Sequence, residues 1–496
     1  MSETPWILEP PAGDLPAQDL RVAMDRARDW IAGYLRDVGE MQVMPPIAPG
    51  DVSARLPVAP PDSPEPLGAC LDDFERVIAP NLTHWNHPGF LAYFAISGTA
   101  PGIVGETLAA AVNVNAMLWR TGPAPTELEE RVCDWLRQMV GLPQGFRGHI
   151  NDTASIGSML ALASARHRAC GDDLIRRGLI GRSSAKPLTV YASEHAHSSI
   201  DKAMLTLGLG LDYLRKIPAD DEFRMRPNAL ADAIRADRAA GLLPAAVVAT
   251  LGTTSTTSLD PVSAIADLCA RENLWLHVDA AYAGSAAICP ELRAGFTGWE
   301  RADSIVINPH KWLFTPVDCS VLLVRDVDAL RRAFSVVPEY LRTPEEGATN
   351  LMDLGVQLGR RFRSLKLWFV IRAFGVRGLQ QRVRYHCALA AQLADRLRAT
   401  PGFRVCAPTP FSTVCFRHEP EGVAPEAAES LNERLLAAVN ATGRVMLSHT
   451  KLNGRTVLRL AIGNIRTGAE HIRGAYEAIR EGARRLAASD DTLRRQ

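Results

Sequence analysis

The feature that most constrains the fold is a series of short apolar, β-branched runs that alternate with helical patterns between residues 100 and 380. Each run is almost continuously apolar, which is typical of strands that are covered on both faces. Intervening segments such as "PVSAIADLCAREN" (261–273) carry apolar residues at helical spacing. Strands that alternate with helices favour a mostly parallel sheet, so we expect an α/β fold with helices on both faces. The predicted strands are "LTVYAS" (188–193), "AAVVATLG" (245–252), "LWLHVDA" (274–280), "SIVIN" (304–308) and "SVLLVR" (320–325).

The N-terminal part of the chain has a different pattern. Residues 19–39 place apolar side chains at helical spacing, and a proline-rich stretch follows at 44–66. One helix cannot bury such a stripe alone, so it must pack on another element or another subunit. We therefore predict that residues 1–99 form a helical, proline-rich dimerisation arm.

The C-terminal part predicts a second sheet. Residues 100–380 are interpreted as the large domain, and beyond them the strand "TVCFRH" (413–418) is followed by a hairpin pattern centred on Asn453-Gly454. Asn-Gly between two apolar runs is a strong signal for a two-residue turn. We expect residues 381–496 to form a smaller α+β domain.

Charge and cysteine content narrow the range of partners. The chain has 55 basic and 55 acidic residues, so net charge gives no general attraction for nucleic acid or an anionic membrane. Nine cysteines are scattered without CxxC pairs or the cysteine–histidine spacing of a zinc site. The acidic, proline-rich start lacks the features of a signal peptide, and no uncharged apolar stretch is long enough to span a bilayer. We expect a cytoplasmic protein that binds a small molecule and no metal.

A lysine stands in unusual surroundings in "INPHKWLF" (307–314), directly after a predicted strand. A lysine that is withdrawn from water loses its charge readily and becomes a nucleophilic amine. In the structural alternative, the stem of Lys311 packs on Trp312 while the ammonium stays in solvent.

Three further features lie at predicted strand ends, where open α/β sheets bind their ligands. Asp279 ends one strand, and it either caps the next helix or pairs with a buried cation. His195 and His197 follow another strand and are either capping residues or ligands. The small and hydroxylic start of "NDTASIGSMLALASARHR" (151–168) is either a simple helix cap or an anion site.

Together these features describe one ligand. An aldehyde would suit Lys311, a cationic ring nitrogen would suit Asp279, a flat ring would suit a histidine, and a phosphate would suit the helix start. Pyridoxal 5'-phosphate has all four groups, and an acidic partner for its ring nitrogen maintains it as an electron sink.

Four stretches then identify a resemblance. The chain resembles the pyridoxal-phosphate-dependent group II decarboxylases, closest to the aromatic L-amino-acid decarboxylases, from about residue 83 to residue 467. The stretches that carry the resemblance are "AHSS" (196–199), "HVDAAYAGS" (277–285), "NPHKWL" (308–313) and "LGRRFRSLKLWFVIRAFG" (358–375).

The resemblance implies a type I pyridoxal-phosphate fold, a homodimer with shared active sites, and decarboxylation of an aromatic L-amino acid to the amine and CO2. It implies that Lys311 binds the cofactor covalently, that Asp279 pairs with the pyridine nitrogen, and that His197 stacks on the ring. These three are the implied catalytic residues. The other implied cofactor contacts are Thr153, Ala154, Ser155, Thr254, Ala281, Asn308 and His310. The implied substrate wall consists of Trp85, Tyr93, Phe94, Ile96 and, from the partner subunit, Met117.

One departure from the family bears on the product. A gapless alignment back from Gly359 places Leu351 where the family has a loop tyrosine thought to deliver a proton to Cα. Leucine cannot donate a proton, so either a gap shifts the alignment, or Tyr340, His197 or water delivers the proton. Alternatively, oxygen intercepts the carbanion and the products are an aldehyde and ammonia. A non-catalytic binding scaffold is a further alternative, against which the three retained catalytic residues speak. We favour simple decarboxylation, because the acid–base role is chemically replaceable.

Two charged residues raise further questions. Asp152 precedes Thr153 where the family usually has glycine, and a carboxylate beside a phosphate is unfavourable unless it turns away or caps the helix. Arg459 could face a substrate carboxylate, although we favour a structural role. No pair of basic residues for a distal carboxylate is evident, which favours an aromatic over an acidic substrate.

Overall fold

The computed structural model describes residues 13–179, 186–336 and 347–494. The chain divides into two compact units, Met1–His87 and Pro88–Gln496. The boundary predicted at residue 99 therefore stays a prediction, as does the boundary predicted at residue 380.

The first unit is built on two helices, α1 and α2. Helix α1 matches the amphipathic pattern predicted for residues 19–39, and its Trp30 ring packs edge-on against Phe74 with 4.7 Å between ring centroids. The elements are α1 (Ala17–Asp37), α2 (Leu67–Asp73), a π-helical turn (Phe74–Ile78) and the 3-10 turns Val38–Glu40, Ser53–Arg55 and Ala79–Asn81.

The second unit contains two sheets with their helices. Its first part consists of α3 (Ala100–Val112), α4 (Pro123–Met139), β1 (Arg147–Asn151), α5 (Ala154–Cys170), α6 (Asp173–Arg177), β2 (Leu188–Ser193), α7 (Ser199–Thr206), β3 (Leu214–Ile217), α8 (Pro227–Ala239), β4 (Leu243–Thr250), α9 (Val262–Glu272), β5 (Trp275–Asp279), β6 (Ser304–Ile307), α10 (Pro309–Trp312), β7 (Ser320–Val324) and α11 (Val327–Phe334). The remainder consists of α12 (Ser364–Arg398), β8 (Phe403–Val405), β9 (Thr413–His418), α13 (Pro425–Asn440), β10 (Ser448–Leu452), β11 (Arg455–Ala461) and α14 (Ala469–Arg494). The 3-10 helices of this unit are Leu211–Tyr213, Ala283–Ile288, Pro290–Phe296, Trp299–Arg301 and Leu351–Leu354.

The large sheet has the order β1-β7-β6-β5-β4-β2-β3. Strands β2 to β6 are mutually parallel where they pair, as predicted. Strand β7 is antiparallel to both of its neighbours, β6 and β1. It runs antiparallel to β6 because the connection between these two strands contains only one helical turn, α10. A parallel return would need a longer crossover.

Both faces of this sheet are covered, as the continuously apolar runs predicted. Along β4, Val247 and Ala249 pack into the cluster that contains residues of α9 and α12. The alternate residues Ala246 and Val248 pack with residues of α5 and α7. Successive side chains of a strand point to opposite faces, so a strand without polar alternation requires a helix layer on each side.

The small sheet has the order β10-β11-β9-β8 and is antiparallel. The predicted hairpin joins β10 to β11 through Asn453 and Gly454, whose φ angles are 51° and 77°. Positive φ at both turn residues suits Asn-Gly and matches the right-handed twist of the strands. Among the described helices, none is long and apolar enough to cross a bilayer.

Candidate active site

The carboxyl ends of β4, β5 and β6 lie at one edge of the large sheet because these strands are parallel. Strand β1 pairs antiparallel with β7, and β7 pairs antiparallel with β6. Strand β1 therefore runs in the same direction as β6 and ends at the same edge. This edge brings together Asp279 at the end of β5, Asn308 after β6 and Asn151 at the end of β1. Ser320 of β7 pairs with Asn151 in the sheet and donates its hydroxyl to Asn308 Oδ1 at 2.6 Å.

Lys311 lies in α10, directly after β6. Its backbone amide donates to the carbonyl of Asn308 at 2.9 Å, and its Nζ lies 5.3 Å from the centroid of the Phe94 ring. Burial lowers the pKa of the Lys311 amine; Asp279 opposes this shift and Arg459 adds to it. A larger neutral fraction makes this amine a better nucleophile toward an aldehyde.

Asp279 is only 6% exposed and lies between Thr250 of β4 and Val306 of β6. Its Oδ1 accepts a hydrogen bond from the amide of Ala281 at 3.1 Å, which fixes the carboxylate at the strand end. A buried carboxylate is costly without a cation. A protonated ring nitrogen would provide one beside the lysine.

His197 follows β2 and has a defined tautomer. Its Nδ1 accepts from the amide of Ser199 at 3.1 Å and lies 2.9 Å from the Ser199 hydroxyl. The neutral ring therefore carries its proton on Nε2. Partial desolvation lowers the pKa of His197; Asp279 opposes this effect and Lys311 adds to it. The residue keeps an exposed face, so its ring is accessible to a ligand.

His310 and Asn308 flank the lysine and are buried, with 5% and 2% exposure. The amide of Cys319 donates to His310 Nδ1 at 2.9 Å, which leaves the proton on Nε2. Burial lowers the pKa of His310 to about 3, and the nearby Lys311 contributes. His310 is therefore a neutral N–H donor at physiological pH.

The start of α5 contains the three residues predicted to bind phosphate. Thr153 is the N-cap and is exposed, whereas Ala154 and Ser155 are half-buried in the first turn. Oδ1 of Asp152 accepts from the amide of Thr153 at 2.6 Å and lies 3.2 Å from its hydroxyl. The first turn of a helix presents free amides, so an anion is favoured there.

An aromatic stack forms one wall beside the lysine. The ring of Phe94 stacks on Tyr282 with 3.7 Å between centroids, and Tyr282 stacks on Trp312 with 4.7 Å. Of the predicted substrate wall, Phe94 is the residue that the structure places within contact range of the Lys311 amine. Sequence reasoning did not select Tyr282, although it lies in the "HVDAAYAGS" motif.

The other predicted contacts have more varied positions. Tyr93 is 54% exposed with a φ of 52°, and Thr254 is exposed in the turn after β4. Ile96 and Met117 are half-buried. Trp85 belongs to the first unit. Substrate and cofactor contacts for these five residues stay predictions.

Arg459 of β11 is buried at 3% exposure and reaches the same region. Its Nε donates to the carbonyl of Ser255 at 3.1 Å, and its Nη1 donates to the carbonyl of Tyr93. Its Nη2 is buried without a hydrogen-bond partner among the described residues, and its Cζ lies 4.5 Å from the centroid of the Phe94 ring. The favoured structural role accounts for two nitrogens and leaves the third available to a ligand.

Leu351 has a packing role that the sequence did not indicate. It is 1% exposed and lies in an apolar cluster with Leu160, Val306 and Leu354. Its side chain therefore packs with Val306 of β6 in the apolar core. The alignment of Leu351 with the family's loop tyrosine stays a prediction, because the burial of a leucine does not test it. Tyr340, the alternative donor, lies outside the described residues.

These groups fit the ligand predicted from the sequence. The amine of Lys311, the carboxylate of Asp279 and the accessible ring of His197 interact electrostatically. The start of α5 offers free amides that suit a phosphate, whereas a phosphate contact of His310 stays a prediction. The class of protein that this fold and site define is a pyridoxal-phosphate enzyme of fold type I.

Comparisons with known proteins identify the family. The model of the family described as "Pyridoxal-dependent decarboxylase conserved domain" matches residues 49–419. The chain is 39% identical to aromatic-L-amino-acid decarboxylase from Sus scrofa over 96% of this chain and 98% of that protein. It is 38% identical to phenylacetaldehyde synthase from Arabidopsis thaliana over 92% and 94%. The crystal structure of the Oryza sativa enzyme TDC with pyridoxal phosphate and tryptamine superposes with a TM-score of 0.92 at 38% identity, over 96% of this chain and 100% of that one.

The chain therefore belongs to the pyridoxal-dependent decarboxylase family, within its aromatic amino-acid branch. It is a pyridoxal-phosphate-dependent amino-acid decarboxylase, which confirms the predicted fold, cofactor and enzyme class. Among the described residues, no group of three or more His, Cys, Asp or Glu side chains could hold a metal ion.

Proposed function

We propose that the protein removes the carboxylate of an aromatic L-amino acid and releases the corresponding amine and CO2. The observation that carries this proposal is the half-buried Lys311, because desolvation lowers the pKa of its amine. The amine interacts electrostatically with Asp279 and lies 5.3 Å from the centroid of the Phe94 ring. When bound, pyridoxal phosphate accepts the electron pair left by the departing CO2. The chain attaches the cofactor through Lys311 and maintains its ring nitrogen in the cationic form through Asp279.

The preference for an aromatic substrate rests on the wall around the amine. Phe94 is fixed by its stack on Tyr282, so it presents a rigid apolar face. Nη2 of Arg459, buried and without a partner among the described residues, would bind the substrate carboxylate. A flat apolar wall next to one cation suits a substrate with one carboxylate and an aromatic side chain. The names of the relatives from Sus scrofa and Oryza sativa support the same substrate class.

The amine is favoured over the aldehyde because another group can take over the proton-donor role of a missing tyrosine. His197 carries its proton on Nε2 and interacts electrostatically with Lys311, so it is a suitable donor to Cα. The aldehyde is the second candidate, because the similarity to the Arabidopsis thaliana phenylacetaldehyde synthase is as close as that to the decarboxylases.

The proposal includes a homodimer. Helix α3 is largely apolar, yet Gly102 and Gly105 are its only buried residues. Val104, Leu108 and Val112 are 49%, 45% and 61% exposed. A contiguous apolar helix face is unfavourable in water, and a second copy of the chain would cover it.

The experiment that tests the function is a substrate panel with purified enzyme saturated with pyridoxal phosphate. Phenylalanine, tyrosine and tryptophan are compared with glutamate, and CO2, amine, aldehyde, ammonia and oxygen consumption are measured together. We expect CO2 and amine in equal amounts from at least one aromatic substrate, without oxygen consumption.

Two results would contradict the proposal in different ways. Oxygen consumption equal to CO2 release, with aldehyde and ammonia, would establish the second candidate. Release of CO2 from glutamate but from no aromatic substrate would contradict the role of the Phe94 wall. The Lys311→Ala variant is the control, because it lacks the amine that attaches the cofactor and should release CO2 far more slowly than the natural chain.

A further inference from the structure

Asp152 has an unusual position for an acidic residue in a phosphate-binding enzyme. It stands between the end of β1 and the N-cap of α5. Its Oδ1 accepts from the Thr153 amide at 2.6 Å, and the Thr153 hydroxyl lies 3.2 Å from the same oxygen. Both donors of Thr153 are thus directed to a carboxylate. They are among the donors that an anion at the start of α5 would use.

Arg363 is a cation whose charge interacts with Asp152, but among the described residues no ion pair joins the two side chains. Burial lowers the pKa of the Arg363 guanidinium, but the hydrogen bonds and charge of Asp318 raise it overall, and the charge of Asp152 adds to this rise. However, Arg363 donates both Nε and Nη2 to Asp318, at 2.9 and 3.2 Å. Lys366 is likewise paired, 2.7 Å from Oε2 of Glu106. These cations are already matched by other carboxylates.

We propose that Asp152 competes with the phosphate of the cofactor for the amide and hydroxyl of Thr153, and so weakens cofactor binding. The inference rests on the proposed role of Thr153, Ala154 and Ser155 as the phosphate site. A phosphate that enters the start of α5 meets a like charge and two donors that are already used. It gains those donors only when the Asp152 carboxylate turns away, which reduces the binding free energy.

The consequence is a cofactor that exchanges more readily than in an enzyme with a neutral residue at position 152. The effect acts on the phosphate and not on the ring, because Asp152 lies at the start of α5, whereas Lys311 and Asp279 bind the aldehyde and the ring nitrogen. Pyridoxal, which lacks the phosphate, is therefore the matched ligand. Its affinity should not respond to Asp152.

The test uses cofactor-free enzyme of three forms: the natural chain, Asp152→Asn and Asp152→Gly. Asparagine removes the charge but keeps an oxygen for the Thr153 amide, whereas glycine removes both effects. The dissociation constants of pyridoxal phosphate and pyridoxal are measured by cofactor absorbance and protein fluorescence. We expect pyridoxal phosphate to bind about fivefold more tightly to Asp152→Asn and at least tenfold more tightly to Asp152→Gly. Pyridoxal should bind equally to all three.

Three results would overturn the proposal: unchanged affinity for pyridoxal phosphate in both variants, weaker binding in both variants, or an equal gain for pyridoxal. If Asp152→Gly does not fold, the affinity of Asp152→Asn alone decides the test, since asparagine has nearly the same shape as aspartate. Attachment of the cofactor to Lys311 and release of CO2 are measured on the same preparations. Suppose that the natural chain attaches the cofactor and releases CO2, but the variants bind the cofactor no more tightly. This result refutes the role of Asp152 and leaves the proposed function intact.

Discussion

Replacement of Glu129 by glutamine should destabilise the protein strongly, because it removes one charge of a buried ion pair. Glu129 of α4 accepts from Arg360 Nη2 at 2.7 Å, and the two side chains are 2% and 3% exposed. The same carboxylate oxygen accepts from the amide of Ile150 at 2.9 Å, and Arg360 donates to the Ile150 carbonyl at 2.7 Å. The pair therefore anchors β1, the strand that leads to Asp152 and the start of α5.

The expected magnitude follows from what Glu129→Gln leaves behind. Glutamine has nearly the same shape and can still accept a hydrogen bond, so the main loss is the charge opposite a buried guanidinium. Removal of one partner of a buried pair costs about 3–5 kcal/mol, and the retained hydrogen bond places this variant near 3 kcal/mol. That is a large part of a typical folding stability of about 5–15 kcal/mol.

The assay is urea unfolding of cofactor-free protein, followed by tryptophan fluorescence at neutral pH. The matched control is Glu481→Gln, since Glu481 is 44% exposed and its partners Arg484 and Arg485 are 69% and 77% exposed. Removal of these surface pairs should leave the free energy of unfolding nearly unchanged, because water solvates all of the charges. A loss below about 1 kcal/mol in Glu129→Gln, or equal losses in both variants, would refute the reasoning.

Two further predictions concern the site, and a third concerns the stability contributed by His277, a fully buried residue of β5. Lys311→Ala should bind pyridoxal phosphate without covalent attachment, because the amine that interacts with Asp279 is the one removed. Borohydride reduction followed by peptide mapping should find no labelled lysine in this variant. A different labelled lysine would contradict the assignment. Asp279→Ala should lower the turnover number by orders of magnitude with little loss of bound cofactor, since the ring nitrogen loses its carboxylate partner, and a nearly normal rate would exclude that role. Burial lowers the pKa of His277 to about 4, below its ordinary value of 6.5, so its contribution to stability is complete above pH 6.5 and is lost as the pH falls toward 4. The loss from His277 amounts to about 3 kcal/mol at 1.36 kcal/mol per unit of pKa shift. The free energy of unfolding of His277→Gln should therefore fall less between pH 7 and pH 4.5 than that of the natural chain. Equal losses in the two proteins would show that His277 is not responsible.

Most elements of the large sheet could be predicted from local pattern. The runs at 188–193 and 320–325 match β2 and β7, and the Asn453-Gly454 turn lies where the sequence placed it. Strands β1 and β3 were missed because "RGHIN" and "LRKI" are short and contain charged residues. Their strand conformation comes from pairing with neighbours that already form the sheet.

The sequence by itself determined the α/β class, the cofactor, and the order of Lys311, Asp279 and His197 along the chain, because each depends on a local run of residues or a motif. Only the tertiary structure decided that β7 runs antiparallel, which brings the end of β1 and the start of α5 to the edge that carries Asp279. It also decided that Leu351 is buried in the core and that one nitrogen of Arg459 has no partner among the described residues. Strand direction, burial and hydrogen-bond satisfaction depend on contacts between residues far apart in the chain, and no local pattern encodes them.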